Sequence, residues 1–235
     1  SRPTTFKKRY IVENQKLFRV SRLEEHKLDP DVETRVIDNI IKLAPYAHGI
    51  VISDFVYGVI TPKILEVVEN LSRDNGLLMF GDLQCSSQVG SIAKFKNFSL
   101  LSPNEREARL ALQDNSSGLE RISQKLLQET CTDKLIMKLG SEGFIAYDRD
   151  SNGQIVSQAF PALCVNPVDV AGAGDSLLAI MATGLASRQP LMVTAALATC
   201  MASLAVQTMG NSPINSQRLR EYVKEIMTNN SDLIN

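Results

Sequence analysis

The run Val168-Asp169-Val170-Ala171-Gly172-Ala173-Gly174-Asp175-Ser176 leads directly into the apolar stretch Leu177 to Leu185. This reads as a glycine-rich turn opening into a helix. Gly172 and Gly174 let the backbone take positive φ and remove side chains that would hold a ligand away. The first N–H groups of such a helix lack intrahelical acceptors and lie at the positive end of its dipole, so an anion fits against them. Asp175 stands beside that anion position, placed to take the proton of a substrate hydroxyl. These are the parts of a phosphoryl-transfer site. Two better-known phosphate loops are excluded by spacing: no Gly-Lys-Ser/Thr follows the glycines, and Leu177 occupies the place of a dinucleotide fingerprint's third glycine. An ordinary tight turn with a first-turn charge would give the same string by itself.

A second candidate is Asn104-Glu105-Arg106-Glu107, which follows Leu100-Leu101-Ser102-Pro103 at a strand-to-helix junction. Ligands of open α/β sheets bind at that carboxyl end. A spacing of three puts Asn104 and Glu107 on one face of the helical turn, with Glu105 elsewhere. An amide and a carboxylate there can organise the waters of a Mg²⁺ that bridges nucleotide phosphates. The same pair serves equally well as a helix cap. A third segment, Leu135 to Gly143, is a strand ending in a glycine turn, readable also as a plain hairpin turn before Phe144 to Tyr147.

The elements that must position these residues alternate between strand and helix. Phe6 to Val12 and Leu17 to Ser21 form a hairpin around Glu13-Asn14-Gln15-Lys16. Asp31 to Leu43 is an amphipathic helix with Val32, Val36, Ile37, Ile40 and Ile41 on one face. Gly49 to Ser53 is a strand, and Thr61-Pro62 starts a helix to Asn70. Leu77 to Phe80, Phe98 to Leu101 and Lys134 to Leu139 are buried strands, with Leu119 to Gln128 as a crossover helix before the last. Ile145 to Tyr147 and Ile155 to Phe160 are further strands. Helices follow at Asp175 to Ala186, Leu191 to Met209 and Ser216 to Met227. The alternation predicts an α/β sandwich with a mostly parallel sheet. Ala195, Ala198, Ala202 and Ala205 form a small-residue stripe, favouring helix packing over contact with a base.

Composition bounds the function. The 235 residues, 44% hydrophobic, suffice for a substantial core in one domain. A formal net charge of -1 gives no broad basic surface for nucleic acid or membrane, and Lys7-Lys8-Arg9 reads as a solvated strand face. No apolar run is long enough to span a bilayer, which fits a cytoplasmic enzyme. Cys85, Cys131, Cys164 and Cys200 lack metal-ligand spacing and are expected to be reduced and mostly buried. His26 and His48 are the only histidines, a poor basis for a zinc site or a Ser-His-Asp hydrolase.

Asp169-Val170-Ala171-Gly172-Ala173-Gly174-Asp175 resembles the Asp-Thr-x-Gly-Ala-Gly-Asp signature of the ribokinase (PfkB-type) carbohydrate kinases, with Val170 for the usual threonine. Asn104 to Glu107 resembles the family's Asn-x-x-Glu motif, and Leu135 to Gly143 its strand and glycine turn, all three in family order. The resemblance implies a ribokinase-like three-layer sandwich, with residues 1–25 as part of a small β lid and residues 26–235 as a kinase core incomplete at its N-terminus. It implies ATP and Mg²⁺ as cofactors, a monovalent cation near Asp169 as in some relatives, a sugar substrate, and a homodimer in the complete protein. Asp175 would be the base, with the N–H groups of Ala171, Gly172, Ala173 and Gly174 as an anion hole. Asn104, Glu105, Arg106, Glu107, Lys138, Gly140, Gly143 and Gly210 would border the nucleotide, Asn104 and Glu107 reaching Mg²⁺ through water, with Gly210 and Asn211 near the base. The helix N-terminus is expected to favour the Asp175 carboxylate, making it a modest base.

Within the family, Arg2 to Val20 and Ser53 to Thr61 resemble the lid and the Ser-Asp-Tyr-x-Lys-Gly-x-Leu-Thr segment of the heptose-phosphate kinases, implying Arg19 and Asp54 as substrate contacts. Tyr57 stands where that subgroup usually carries lysine, and Gly81-Asp82-Leu83-Gln84 replaces its Asp-Pro-Lys. Two cations suited to a sugar phosphate are therefore absent. Residue 1 falls inside the apparent lid, so the family's first β-α segment and paired-glycine sugar motif are expected to be missing, leaving open sheet surfaces and an incomplete acceptor site. Two alternatives stay open: a kinase of another small molecule (unphosphorylated sugar, nucleoside or vitamin), and a non-catalytic kinase-like binding module. Intact Asp175, Asn104 and Glu107 argue against the second.

Overall fold

The computed structural model describes residues 2–12, 15–85, 90–164, 166–210 and 212–229. Strands β1 (Phe6–Val12) and β2 (Gln15–Arg22) form a separate antiparallel hairpin, with Phe6 opposite Arg22 and Arg9 opposite Arg19. Glu13 and Asn14 of its expected turn, and Asn211 of the expected base-pocket loop, lie outside the described residues. The remaining strands build one sheet in the order β3 (Gly49–Asp54), β4 (Leu78–Leu83), β5 (Leu100–Leu101), β6 (Lys134–Lys138), β7 (Phe144–Arg149), β8 (Ile155–Phe160). Strands β3 to β6 are parallel, while β7 and β8 run antiparallel to their neighbours.

Strand periodicity sorts the side chains into two layers. Met79, Leu101, Leu135 and Met137 face helices α1 (Pro30–Leu43), α2 (Pro62–Asn75), α3 (Glu105–Leu112) and α4 (Leu119–Thr130). Phe80, Leu100 and Ile136, each one residue out of phase, face α5 (Ala173–Ala186) and α6 (Leu191–Ala205). Helix α7 (Ser216–Asn229) packs outside α6 through Leu219, and Tyr222 shares a 2.8 Å hydrogen bond with Ser203. Thr61 caps α2 by accepting the Ile64 N–H, an interaction worth about 1 kcal/mol. The alanine stripe of α6 is packing: Ala195 and Ala198 are fully buried in the layer shared with α5.

Several elements depart from the sequence reading for physical reasons. Helix α2 runs on to Asn75, where Gly76 in the left-handed region stops it. Helix α6 ends at Ala205 rather than Met209, because the Val206 carbonyl turns to accept the N–H groups of Val168 (2.8 Å) and Asp169 (3.2 Å). On α1, Ile37 is buried with Val36 and Ile40 packed beside it, but Val32 and Ile41 are exposed, since α2, the helix packed against it, covers a narrower stripe than the sequence pattern offers. The four cysteines are free, yet only Cys200 is buried; Cys131 is exposed at the left-handed end of α4. Lys7 is not simply solvated. Its ammonium lies 4.5 Å from the Phe55 ring centroid and 5.2 Å from that of Tyr57, while Arg2 donates to the Tyr57 carbonyl, and together they seat the hairpin on the segment after β3. Among the described residues no helix is long and apolar enough to cross a membrane.

Candidate active site

The carboxyl ends of β4, β5 and β6 each place a polar residue two positions after a core residue. Phe80 is followed by Asp82, Leu100 by Ser102 and Ile136 by Lys138. Period-2 alternation therefore turns all three toward α5. Lys138 Nζ donates to Asp82 Oδ1 at 2.7 Å, and lies 3.5 Å from where a Cβ would stand on Gly174. One position further along that face, Gln84 Nε2 donates to Asp175 Oδ1 at 3.2 Å. Asp82 and Ser102 are fully buried, and Asp82 Oδ2 and Ser102 Oγ have no hydrogen-bond partner among the described residues.

The glycine-rich turn is held from below. Asp169 is buried, accepting the Ala171 N–H at Oδ1 (2.8 Å) and the Gly210 N–H at Oδ2 (3.2 Å), so it joins the turn to the loop after α6. Gly172 takes φ 84° at the N-cap of α5, a left-handed conformation that glycine adopts without strain. The Ala171 N–H is thus committed to Asp169 and unsuited to an anion hole. Gly174 and Asp175, in the first turn, are the positions whose N–H groups helix geometry leaves without intrahelical acceptors. Asp175 does not keep a low pKa: burial, and then the negative Asp82, push its carboxyl above the usual aspartate value, with Lys138 opposing. This corrects the expectation built on the helix dipole alone.

Asn104 and Glu107 form a complete capping box. Asn104 Oδ1 accepts the Glu107 N–H and Glu107 Oε2 accepts the Asn104 N–H, both at 2.9 Å. Glu107 Oε1 also accepts the Cys85 N–H at 3.3 Å. Burial raises the Glu107 pKa, while the hydrogen bond from Asn104 and the charge of Lys138 oppose the rise. The Lys138 N–H donates to the Pro103 carbonyl at 2.9 Å, which sets β6 beside this box.

Other expected site residues fall elsewhere. Glu105 turns to Arg109 at 2.7 Å, and Arg106 is exposed. Gly140 has open space around it, whereas Gly143 is pressed against the Phe160–Ala162 backbone. Both Asp54 oxygens are engaged, Oδ1 by the Val56 N–H at 2.8 Å and Oδ2 by Lys94. Arg19 is exposed on the hairpin, in another sheet. Asp82, Ser102 and Gln84 were missed by the sequence reading. The signal was present as a polar residue two after a core residue on three successive strands.

A mostly parallel sheet with helices on both faces, and an acidic, lysine-bearing carboxyl edge beneath a glycine-rich helix start, defines a ribokinase-like α/β protein. Phosphofructokinase-2 of Escherichia coli, solved with substrates and products, superposes with a TM-score of 0.74 over 93% of this chain and 70% of its own, at 15% identity. The ribokinase of Thermotoga maritima gives 0.69 over 95% of this chain and 71% of its own, at 17% identity. The family model described as pfkB family carbohydrate kinase matches residues 24–218, and the chain belongs to that family of sugar kinases. The bifunctional protein HldE of Geotalea uraniireducens is 30% identical over 217 residues, 91% of this chain and 43% of that protein. HldE of Geobacter sulfurreducens is 30% identical over 219 residues, again 43% of its length. The chain spans less than half of these curated relatives.

Proposed function

We infer that the chain transfers the γ-phosphoryl group of ATP to a hydroxyl of a sugar or sugar phosphate, with a heptose phosphate as the candidate suggested by the resemblance of Arg2 to Val20 and Ser53 to Thr61 to the heptose-phosphate kinases. The observation that carries this reading is the convergence of Asp175, the α5 N-terminus and Lys138 at one carboxyl edge, within a chain of the pfkB family. In the reaction the acceptor oxygen attacks phosphorus in line, the bond to the ADP oxygen breaks, and the hydroxyl proton passes to Asp175. A loose phosphoryl-transfer transition state needs positioning and charge stabilisation more than a strong base. Gln84 aims the Asp175 carboxylate, and the first-turn N–H groups of α5 receive phosphoryl oxygens. The assignments of Gly140 and Gly210 to the nucleotide border, of Arg19 and Asp54 to the acceptor, and of residues 1–25 to a lid are part of the same proposal.

The cluster holds three carboxylates, Asp82, Glu107 and Asp175, around the Lys138 ammonium, so a nucleotide polyanion needs additional positive charge. Mg²⁺ fits this requirement: Asp82 Oδ2 is a buried acceptor without a donor, and Glu107 keeps lone pairs beyond its two backbone bonds. Asp82, Glu107 and, through water, Asn104 would hold it. Among the described residues no three His, Cys, Asp or Glu side chains are placed to hold one ion by themselves, and Mg²⁺ retains water and phosphate ligands rather than demanding a protein cage. When bound, the ion neutralises charge on the phosphates.

Two measurements test this reading. ADP release is followed with a panel of sugars, sugar phosphates, nucleosides and vitamins; turnover with a sugar or sugar phosphate is expected, and turnover confined to a nucleoside or vitamin would refute the acceptor class. In a Mg²⁺ titration at fixed ATP, Glu107→Gln is expected to raise the half-maximal concentration roughly tenfold, the scale of losing a metal-organising partner. Glu105→Gln, which loosens only the pair with Arg109, should leave it unchanged. Equal shifts would point to a diffuse field instead.

A further inference from the structure

We propose that Lys138 is a catalytic residue whose ammonium contacts the transferring phosphoryl group, and that Asp82 is the positioning residue that holds it there. This rests on the phosphoryl-transfer reading and goes beyond the looser assignment of Lys138 to the nucleotide's border. Three observations carry it. Lys138 Nζ lies between a fully buried carboxylate oxygen, 2.7 Å away, and the first turn of α5 at Gly174. An ammonium has three donors, and the bond to Asp82 Oδ1 uses one. The others are available to an anion bound at the helix start, without releasing Asp82.

The pair is also poorly built for a structural task. Asp82 Oδ2 and its neighbour across the sheet, Ser102 Oγ, are both buried without a partner among the described residues. The Ser102 N–H donates to the Gly81 carbonyl at 2.9 Å, so the two side chains stand side by side on the face that Lys138 shares. Burying a charge with half its acceptor capacity unmet is unfavourable, and apolar residues of similar volume would serve stability as well or better. A site completed by its ligand tolerates such a deficit. No bond to Lys138 forms or breaks in the reaction. The ammonium keeps its three protons and stabilises charge on the phosphoryl oxygens, while the acceptor proton goes to Asp175.

The position also accounts for a charge that the sequence comparison leaves absent. The segment around Gln84 carries no lysine, and β6, two strands along the sheet from β4, delivers one to the same carboxyl edge. Gln84 is then left to orient Asp175.

The test compares binding of ADP with that of a non-hydrolysable ATP analogue by calorimetry, in the presence of Mg²⁺, for the parent chain, Lys138→Met, Lys138→Arg and the double variant Asp82→Asn with Lys138→Met. Lys138→Met is expected to weaken the ATP analogue at least about tenfold while leaving ADP within about twofold, and to lower kcat about 10²–10³-fold, the scale of losing one transition-state donor. Lys138→Arg should recover part of both losses. The double variant, which removes the unpaired buried charge, should regain thermal stability but not turnover. Equal weakening of both nucleotides, or recovery of turnover in the double variant, would overturn the proposal and leave Lys138 a structural partner of Asp82. If the parent chain binds neither nucleotide, the kinase reading itself fails and this inference with it; the parent measurement separates the two failures.

Discussion

Asp175→Asn is expected to lower kcat by about 10²–10⁴-fold, the usual range for removing a general base, while nucleotide affinity stays within about twofold. Asparagine keeps an oxygen for Gln84, so the local geometry survives and only the proton acceptor is lost. The pH dependence follows from the raised Asp175 pKa. The base must be ionised, so kcat/KM falls on acidification through that pKa, at a pH above the ordinary aspartate value. Asp82→Asn removes a negative charge that raises it, leaves Lys138 opposed by burial alone, and moves this acid limb to lower pH. Stability runs the other way. A carboxyl whose pKa is higher folded than unfolded binds its proton more tightly in the native state, so native stability declines as pH rises through the folded value. Asp175→Asn should therefore leave Tm at neutral pH equal or higher, the usual trade between stability and a functional site. Rates at several pH values, with calorimetric melting, check both halves. Near-normal turnover in the asparagine variant would remove Asp175 from the mechanism.

Gly143→Ala is expected to destabilise the chain by about 3–5 kcal/mol, among the largest effects of a single substitution. Gly143 adopts φ 94° and ψ -126°, a region closed to residues with a Cβ. An added Cβ would also stand 2.1 Å from the Phe160 carbonyl oxygen and 2.7 Å from the Ala162 nitrogen, both backbone atoms that cannot swing aside. The turn connects β6 to β7, and β7 pairs with β8, so relief would require moving the antiparallel end of the sheet. For a domain of this size the loss corresponds to a fall in Tm on the order of 10 °C. Gly140→Ala is the control: its φ is 64° but its Cβ meets nothing within 4 Å, so only the left-handed backbone penalty of about 1 kcal/mol applies. Urea unfolding of both variants distinguishes the cases. A Gly143→Ala protein of unchanged stability that has lost nucleotide binding would restore the ligand-border role its motif suggested.

The order of strands and helices, the turn before α5 and the cap before α3 were legible in the sequence because each is local. Apolar periodicity over a few residues, a threonine or asparagine before a helix, and glycines where φ must be positive act within one or two turns of chain. Asp175, Asn104 and Glu107 could be singled out for the same reason. What the capping box left undecided was whether Glu107 serves anything besides the cap, because that depends on Cys85 and Lys138, 22 and 31 positions away in the chain.

Only the tertiary structure decided the electrostatics of the site. Residues 82, 138 and 175 meet because parallel strands bring distant carboxyl ends together and the two layers of helices fix which face each side chain takes. Sequence spacing carries no trace of a Lys138–Asp82 bond across 56 positions, nor of the burial that reverses the expected direction of the Asp175 pKa. Nor does it show that the backbone of Phe160 to Ala162 presses on Gly143. Local propensity determined what each segment of this protein becomes. Long-range packing determined which charges share a low-dielectric space, and therefore what chemistry they can do.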